Sequence, residues 1–322
     1  MIKILTRFNK VFATALMLSM LAVSAMAQAS LRKSMDYDAD GLADFTIFRP
    51  ANNFWYIARS GGGVTAQPWG IASQDYMAPG DYDGDGKADI AVFRNTTGTW
   101  YIINSRDSAV RIVQFGITGD EPVARDYDGD GKTDIAVARR AGGTITWFVL
   151  RSLDGNGTAF QWGQQTDFSA PGDYDGDGKF DYAVHRPATT PTGQAVYYIN
   201  NSRDGSVRIA PWGISTDLVV PGDYDGDNKS DLAVMREGAK PTDPLVWYVL
   251  LSRNSTALVR QYGLTGEDLN AQGDYDGDGK TDIAVWRNTT GLYYWLRSRD
   301  EVTNVFQWGS PNDYPIASYD TH

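Results

Sequence analysis

The octet GDYDGDGK stands at Gly80–Lys87, Gly172–Lys179 and Gly273–Lys280, with the near-copies RDYDGDGK at Arg125–Lys132 and GDYDGDNK at Gly222–Lys229. A chain that returns to one acidic octet every 45 to 51 residues is built from copies of a single supersecondary unit, since a period of this size marks a repeat architecture. Aligned on the acidic loop, six copies are visible, starting at Asp36, Asp81, Asp126, Asp173, Asp223 and Asp274, each with Asp at positions 1, 3, 5 and 9. Of the 40 acidic residues, twenty-four fall at these positions. The negative charge is thus gathered at six points, which a generic solvated surface would not need.

The remainder of each unit repeats as well. A short apolar stretch such as Ile90-Ala91-Val92 follows the loop, and two residues later stands an arginine: Arg49, Arg94, Arg139, Arg186, Arg236 or Arg287. After a turn-rich loop comes an aromatic pair (Trp55-Tyr56, Trp100-Tyr101, Trp147-Phe148, Tyr197-Tyr198, Trp247-Tyr248, Tyr293-Tyr294), with a serine four residues beyond each pair. An aromatic–Gly step such as Trp162-Gly163 and a last short segment lead into the next loop. These segments read as four short strands separated by Gly, Asn, Asp and Ser turns. No stretch beyond residue 27 keeps a 3.6-residue apolar period, so helices should be scarce. Four strands in a unit of this length is the size of a β-propeller blade.

The combination of Asp-rich loop, aromatic–Gly step and Ala-Pro-Gly stretch (Trp69-Gly70 with Ala78-Pro79-Gly80; Trp162-Gly163 with Ala170-Pro171-Gly172) resembles the FG-GAP (VCBS-type) repeats of the integrin α-subunit propeller family. The resemblance runs from Asp36 to about Asp320. It implies an all-β propeller with a calcium ion in a hairpin loop of each blade; integrin propellers have seven blades, but the six complete units here favour six four-stranded blades, with seven as the alternative. The tail Tyr314–Asp320 is expected to supply a strand that closes the ring.

The loop chemistry points the same way. Carboxylates at 1, 3, 5 and 9 gather hard oxygen donors, and Ca²⁺ takes six to eight of these. The expected ligands are Asp36, Asp38, Asp40 and Asp44; Asp81, Asp83, Asp85 and Asp89; Asp126, Asp128, Asp130 and Asp134; Asp173, Asp175, Asp177 and Asp181; Asp223, Asp225, Asp227 and Asp231; and Asp274, Asp276, Asp278 and Asp282. The resemblance adds the position-7 carbonyls of Leu42, Lys87, Lys132, Lys179, Lys229 and Lys280, whose side chains are expected to point to water. Position 6 is Gly in five copies and Asn228 in one, the residues that best tolerate a left-handed backbone. An EF-hand would need Glu at position 12, where this chain has Ile47, Val92, Val137, Val184, Val234 and Val285. Up to six structural Ca²⁺ ions are expected. The first loop departs most from the pattern, with Ala39 for Gly and Leu42 for Lys.

The ends and the composition bound the function. Met1–Ala27 has a basic start, an apolar run and small residues before Ala27, the layout of a secretory signal. The expected mature chain is a single propeller domain over residues 28–322, secreted or periplasmic, without membrane insertion and monomeric. It has no Cys, and its formal charge of −14 (−11 for the whole chain, with three cations in the leader) argues against nucleic acid. Catalytic material is thin. His185 sits in a slot that holds Phe48, Phe93, Ala138, Met235 and Trp286 in the other units, so a structural role is expected, and His322 is terminal. The repeated arginine is expected to pack its stem between blades and satisfy a carboxylate or carbonyl. Loops 187–195 and 237–245 are longer than their counterparts and should lie on one rim. The expected function is non-catalytic binding of a protein or glycan, with a polysaccharide lyase or hydrolase on the same scaffold as the alternative.

Overall fold

The computed structural model describes residues 35–317; the leader expected over Met1–Ala27, residues 318–320 of the tail and His322 lie outside them. Among the described residues there is no helix, and none long and apolar enough to cross a membrane. Twenty-four strands form six separate four-stranded antiparallel sheets. The fold is a six-bladed propeller, not a seven-bladed one.

The blade is offset by one strand from the sequence repeat. The short segment before each acidic loop pairs with the strand after it: Asp75–Met77 with Ile90–Arg94, in register Met77↔Val92 and Asp75↔Arg94. The acidic loop is therefore the innermost hairpin of its blade. Thr99–Ile103 and Val110–Gln114 complete that sheet outward. In the first blade the inner place is filled by Tyr314–Pro315, which pairs with Phe48 and Ile47. Ring closure by the tail is as expected.

Burial explains the aromatic pair. Its first member points into the blade interface and is buried in every copy: Trp55, Trp100, Trp147, Tyr197, Trp247 and Tyr293. A buried indole N–H needs an acceptor. Trp55, Trp100, Trp147 and Trp247 donate to the carbonyl of the aromatic–Gly step in their own blade, at 2.8–3.1 Å. Where the first member is Tyr, the variable slot on the preceding strand takes over this bond: His185 Nε2 donates to the Trp212 carbonyl at 3.1 Å, and Trp286 Nε1 to the Trp308 carbonyl at 3.0 Å. The tyrosine hydroxyls reach instead into the next blade, Tyr197 to the Ala233 carbonyl and Tyr293 to the Thr46 carbonyl. His185 is thus a buried framework residue; burial depresses its pKa, so it stays neutral. The tryptophans of the aromatic–Gly step tie blade to blade. Trp69, Trp162, Trp212 and Trp308 donate to the carbonyls of Tyr101, Tyr198, Tyr248 and Tyr56 at 3.1–3.2 Å, the last of these across the seam.

Candidate metal ring and axial cavity

Each acidic loop is a backbone cage closed by its own carboxylates. The position-1 Asp accepts the position-4 N–H on Oδ1 and the position-6 N–H on Oδ2, as Asp81 does from Gly84 (2.6 Å) and Gly86 (3.0 Å). This pulls both donors into left-handed conformations: Asn228 has φ 67° and Ala39 φ 64°. Ala39 and its neighbours close the same turn on Asp36, so the first loop matches the others despite its altered sequence. The position-9 Asp accepts the position-2 N–H on Oδ2 and the N–H of the repeated serine on Oδ1, as in Asp89 with Tyr82 and Ser105. The serine hydroxyl donates to position 5 in every copy, at 2.8–3.0 Å. This serine, legible as a repeat but not as a partner of the loop, clamps the third-to-fourth-strand turn onto it.

The loops are also chained to each other. The position-8 N–H of each donates to the position-1 carbonyl of the loop before: Ala88 to Asp36, Thr133 to Asp81, Phe180 to Asp126, Ser230 to Asp173, Thr281 to Asp223, and Ala43 back to Asp274, all at 2.6–2.8 Å. The circuit is closed. It corrects the expectation for position 7, because the lysine stems do not simply point to water. The stems of Lys132, Lys179, Lys229 and Lys280 lie over Gly84, Gly129, Gly176 and Gly226 of the preceding loop, so close that a Cβ on those glycines would meet them at 2.6–3.1 Å. Leu42 covers Gly277 in the same way. Gly176→Ala should therefore cost about 1–3 kcal/mol in urea unfolding, from the left-handed backbone and the Lys229 stem together. Adding Lys229→Ala should recover only the steric part.

The donor set fits a hard cation. In at least five loops three Asp oxygens lie within 4.8 Å of one another, for example Asp173, Asp175 and Asp181. That spread is what ligands around one ion at about 2.3–2.6 Å allow. All are carboxylate oxygens, with no thiol or imidazole in the groups. Asp38 Oδ1 and Asp225 Oδ1 are buried without a hydrogen-bond partner. Cationic side chains only graze the site: Arg106, Arg203, Arg253 and Arg299, all mostly exposed, come no closer than 3.7–3.9 Å to the position-3 carboxylates.

Among the described residues no cation offsets the desolvation of the buried position-9 carboxylates, and the N–H bonds they accept offset it only in part. Desolvation raises their pKa to about 6 in Asp44, Asp89 and Asp181 and about 7 in Asp134, Asp231 and Asp282. Their folded pKa lies above the unfolded value, so their contribution to stability is present at low pH and lost as pH rises through about 6–7. Chelated protein should melt higher near pH 5.5 than near pH 8; the reverse slope in a thermal melt would contradict this account.

At the opposite end of the inner hairpin sits the repeated arginine. Every one forms a bidentate pair with an aspartate that sequence reading passed over: Arg49 with Asp313, Arg94 with Asp75, Arg139 with Asp120, Arg186 with Asp167, Arg236 with Asp217 and Arg287 with Asp268, at 2.7–2.9 Å. The carboxylates are buried. The guanidinium lies 4.2–4.7 Å over the second aromatic of its own blade's pair, so the stem runs along one blade and not between two. The signal was available, since an Asp stands 19 residues before the arginine in five copies. Loops 187–193 and 237–243 leave from Arg186 and Arg236 at this same end, as expected for a rim.

A cavity of about 400 Å³ occupies the axis between the inner strands. Its walls include Tyr76, Glu121, Phe168 and Leu218, with Arg140 on one side and Arg125 at its base. Arg140 bridges two blades: it donates to Glu121 Oε2 at 2.7 Å, to Ser169 Oγ at 3.2 Å and to the carbonyls of Gln165 and Asp167.

These features define a class: a six-bladed β-propeller with a closed circuit of acidic hairpins. The model of the FG-GAP-like repeat matches residues 36–92 and 126–184, so the chain carries FG-GAP-like repeats over those segments. No curated protein matches it. Among solved structures it is similar to an Agrocybe aegerita lectin described as specifically recognising non-reducing terminal N-acetylglucosamine (16% identity, 85% of this chain and 96% of the lectin covered, TM-score 0.50). It is also similar to AofleA from Arthrobotrys oligospora (8% identity, 88% and 90% covered, TM-score 0.50). At these identities the likeness is one of fold.

Proposed function

We propose that the protein is an exported, calcium-stapled propeller that binds saccharides and has no catalytic role. The observation that carries this reading is the division of labour among the residues. Every side chain in the repeat motif serves the scaffold: the loop carboxylates, the serine clamp, the Arg–Asp pair and the buried aromatics. The polar side chains that do not repeat, Glu121, Arg140 and Arg125, meet at the axial cavity. That cavity offers no pair of uncommitted carboxylates for glycoside chemistry. Of the acids lining it, Asp120 and Asp217 are each bound by an arginine. In the loops, Asp oxygens at positions 1, 3, 5 and 9 would hold the ion. Calcium supplies positive charge there and lets the carboxylates remain ionised at neutral pH. The ligand class draws support from the lectin that shares the fold. Screening the calcium-loaded chain on an oligosaccharide array, with a hydrolase and lyase panel run in parallel, tests the reading. Binding without turnover is the expected result, and turnover of any polysaccharide would overturn it.

A further inference from the structure

The inner-strand position directly after the arginine-bound aspartate holds Tyr76, Glu121, Phe168, Leu218, Leu269 and Tyr314 around the ring. If this end of the channel merely faced water, polar residues would be expected there. Five of the six are apolar or aromatic, and the three aromatic ones are strongly exposed: Tyr76 45%, Phe168 48% and Tyr314 51%. Elsewhere in each blade, the first ring of the aromatic pair is packed away. Tyr76 and Phe168 border the axial cavity on either side of Glu121, in adjacent blades.

Glu121 is the one acid at this ring position, and it is held from behind. Arg140, which has no cationic counterpart in the other copies (Pro50, Asn95, Pro187, Glu237 and Asn288 stand there), fixes one carboxylate oxygen together with Ser169. The Glu121 side chain is 40% exposed beside the cavity. Aromatic faces beside an immobilised acceptor form the arrangement a pyranose needs. Its C–H face can lie on a ring while its hydroxyls donate to a carboxylate. The cavity volume of about 400 Å³ falls in the range of small-molecule sites.

We propose that this axial mouth is the saccharide site, with Phe168 and Tyr76 as stacking platforms and Glu121, positioned by Arg140, as the hydroxyl acceptor for a terminal pyranose. The inference rests on the saccharide-binding reading and adds to it the place and the residues.

The test uses the full calcium-loaded chain and the methyl glycoside of whichever sugar the array binds best. Titration calorimetry compares wild type with Phe168→Ala, Glu121→Gln and Leu218→Trp, the last narrowing the cavity without removing a contact. Ile209→Ser on the exposed outer strand of the fourth blade is the control. Phe168→Ala and Glu121→Gln should each weaken binding about tenfold or more, the loss of one stacking face or one charge-assisted hydrogen bond, and Leu218→Trp should weaken it about as much by occupying the space the sugar needs. The control should bind as wild type, and all variants should keep the wild-type melting temperature within a few degrees. If the sugar binds and the axial variants retain wild-type affinity, the site lies elsewhere and this inference falls while the saccharide reading stands. If no sugar on the array binds, both fall together.

Discussion

Chelating calcium from the purified protein will lower its melting temperature by at least about 10 °C, and restoring millimolar Ca²⁺, but not Mg²⁺, will reverse the change. The size follows from mass action. A ligand that binds only the folded state stabilises it by about 2.7 kcal/mol at a hundredfold excess over its dissociation constant. Six such loops give a total on the order of 16 kcal/mol. For a domain of this length even a third of that moves the midpoint by roughly 10 °C or more. Magnesium fails because it favours a small octahedral shell and gives up its waters reluctantly. The loss should be cooperative, because the loops share backbone hydrogen bonds around a closed circuit. An unchanged melt after verified metal removal would show the loops to be self-sufficient Asx turns.

The second large effect is expected at the other end of the blade. Arg186→Leu should destabilise the protein by about 3–5 kcal/mol, because it leaves the buried Asp167 carboxylate without its partner. The loss includes the stacking on Tyr198, 4.2 Å from the guanidinium. Combining it with Asp167→Asn removes the stranded charge while an amide oxygen still accepts the Gln164 N–H. The double variant should recover roughly half of the loss in a urea titration. A single variant within about 0.5 kcal/mol of wild type would mean that the six pairs are ornamental surface bridges.

Much of this fold could be read from the residues, and the limits have physical reasons. Copy number, strand type and the left-handed sixth position of the loop follow from local sequence, because turn chemistry acts within a few residues. The role of His185 followed from the company it keeps in its slot, though its bond to the Trp212 carbonyl did not. What stayed hidden connects residues far apart in the sequence. Asp75 is separated from Arg94 by a whole hairpin, and only antiparallel register brings them together. The lysine stems were misread because the surface they cover belongs to the preceding loop. The axial mouth was invisible for a further reason. Tyr76, Glu121, Phe168 and Leu218 are unlike one another, so alignment of the repeats reports drift where the ring geometry makes a site.

The seam gives the chain an order of events. Its first blade borrows the inner strand Tyr314–Pro315, and the ties Trp308 to Tyr56 and Ala43 to Asp274 span it as well. Blade one therefore waits, one strand short, until Tyr314–Pro315 has emerged from the ribosome. Until then the chain is an open arc with two unsatisfied faces, and only the arrival of that strand allows it to close.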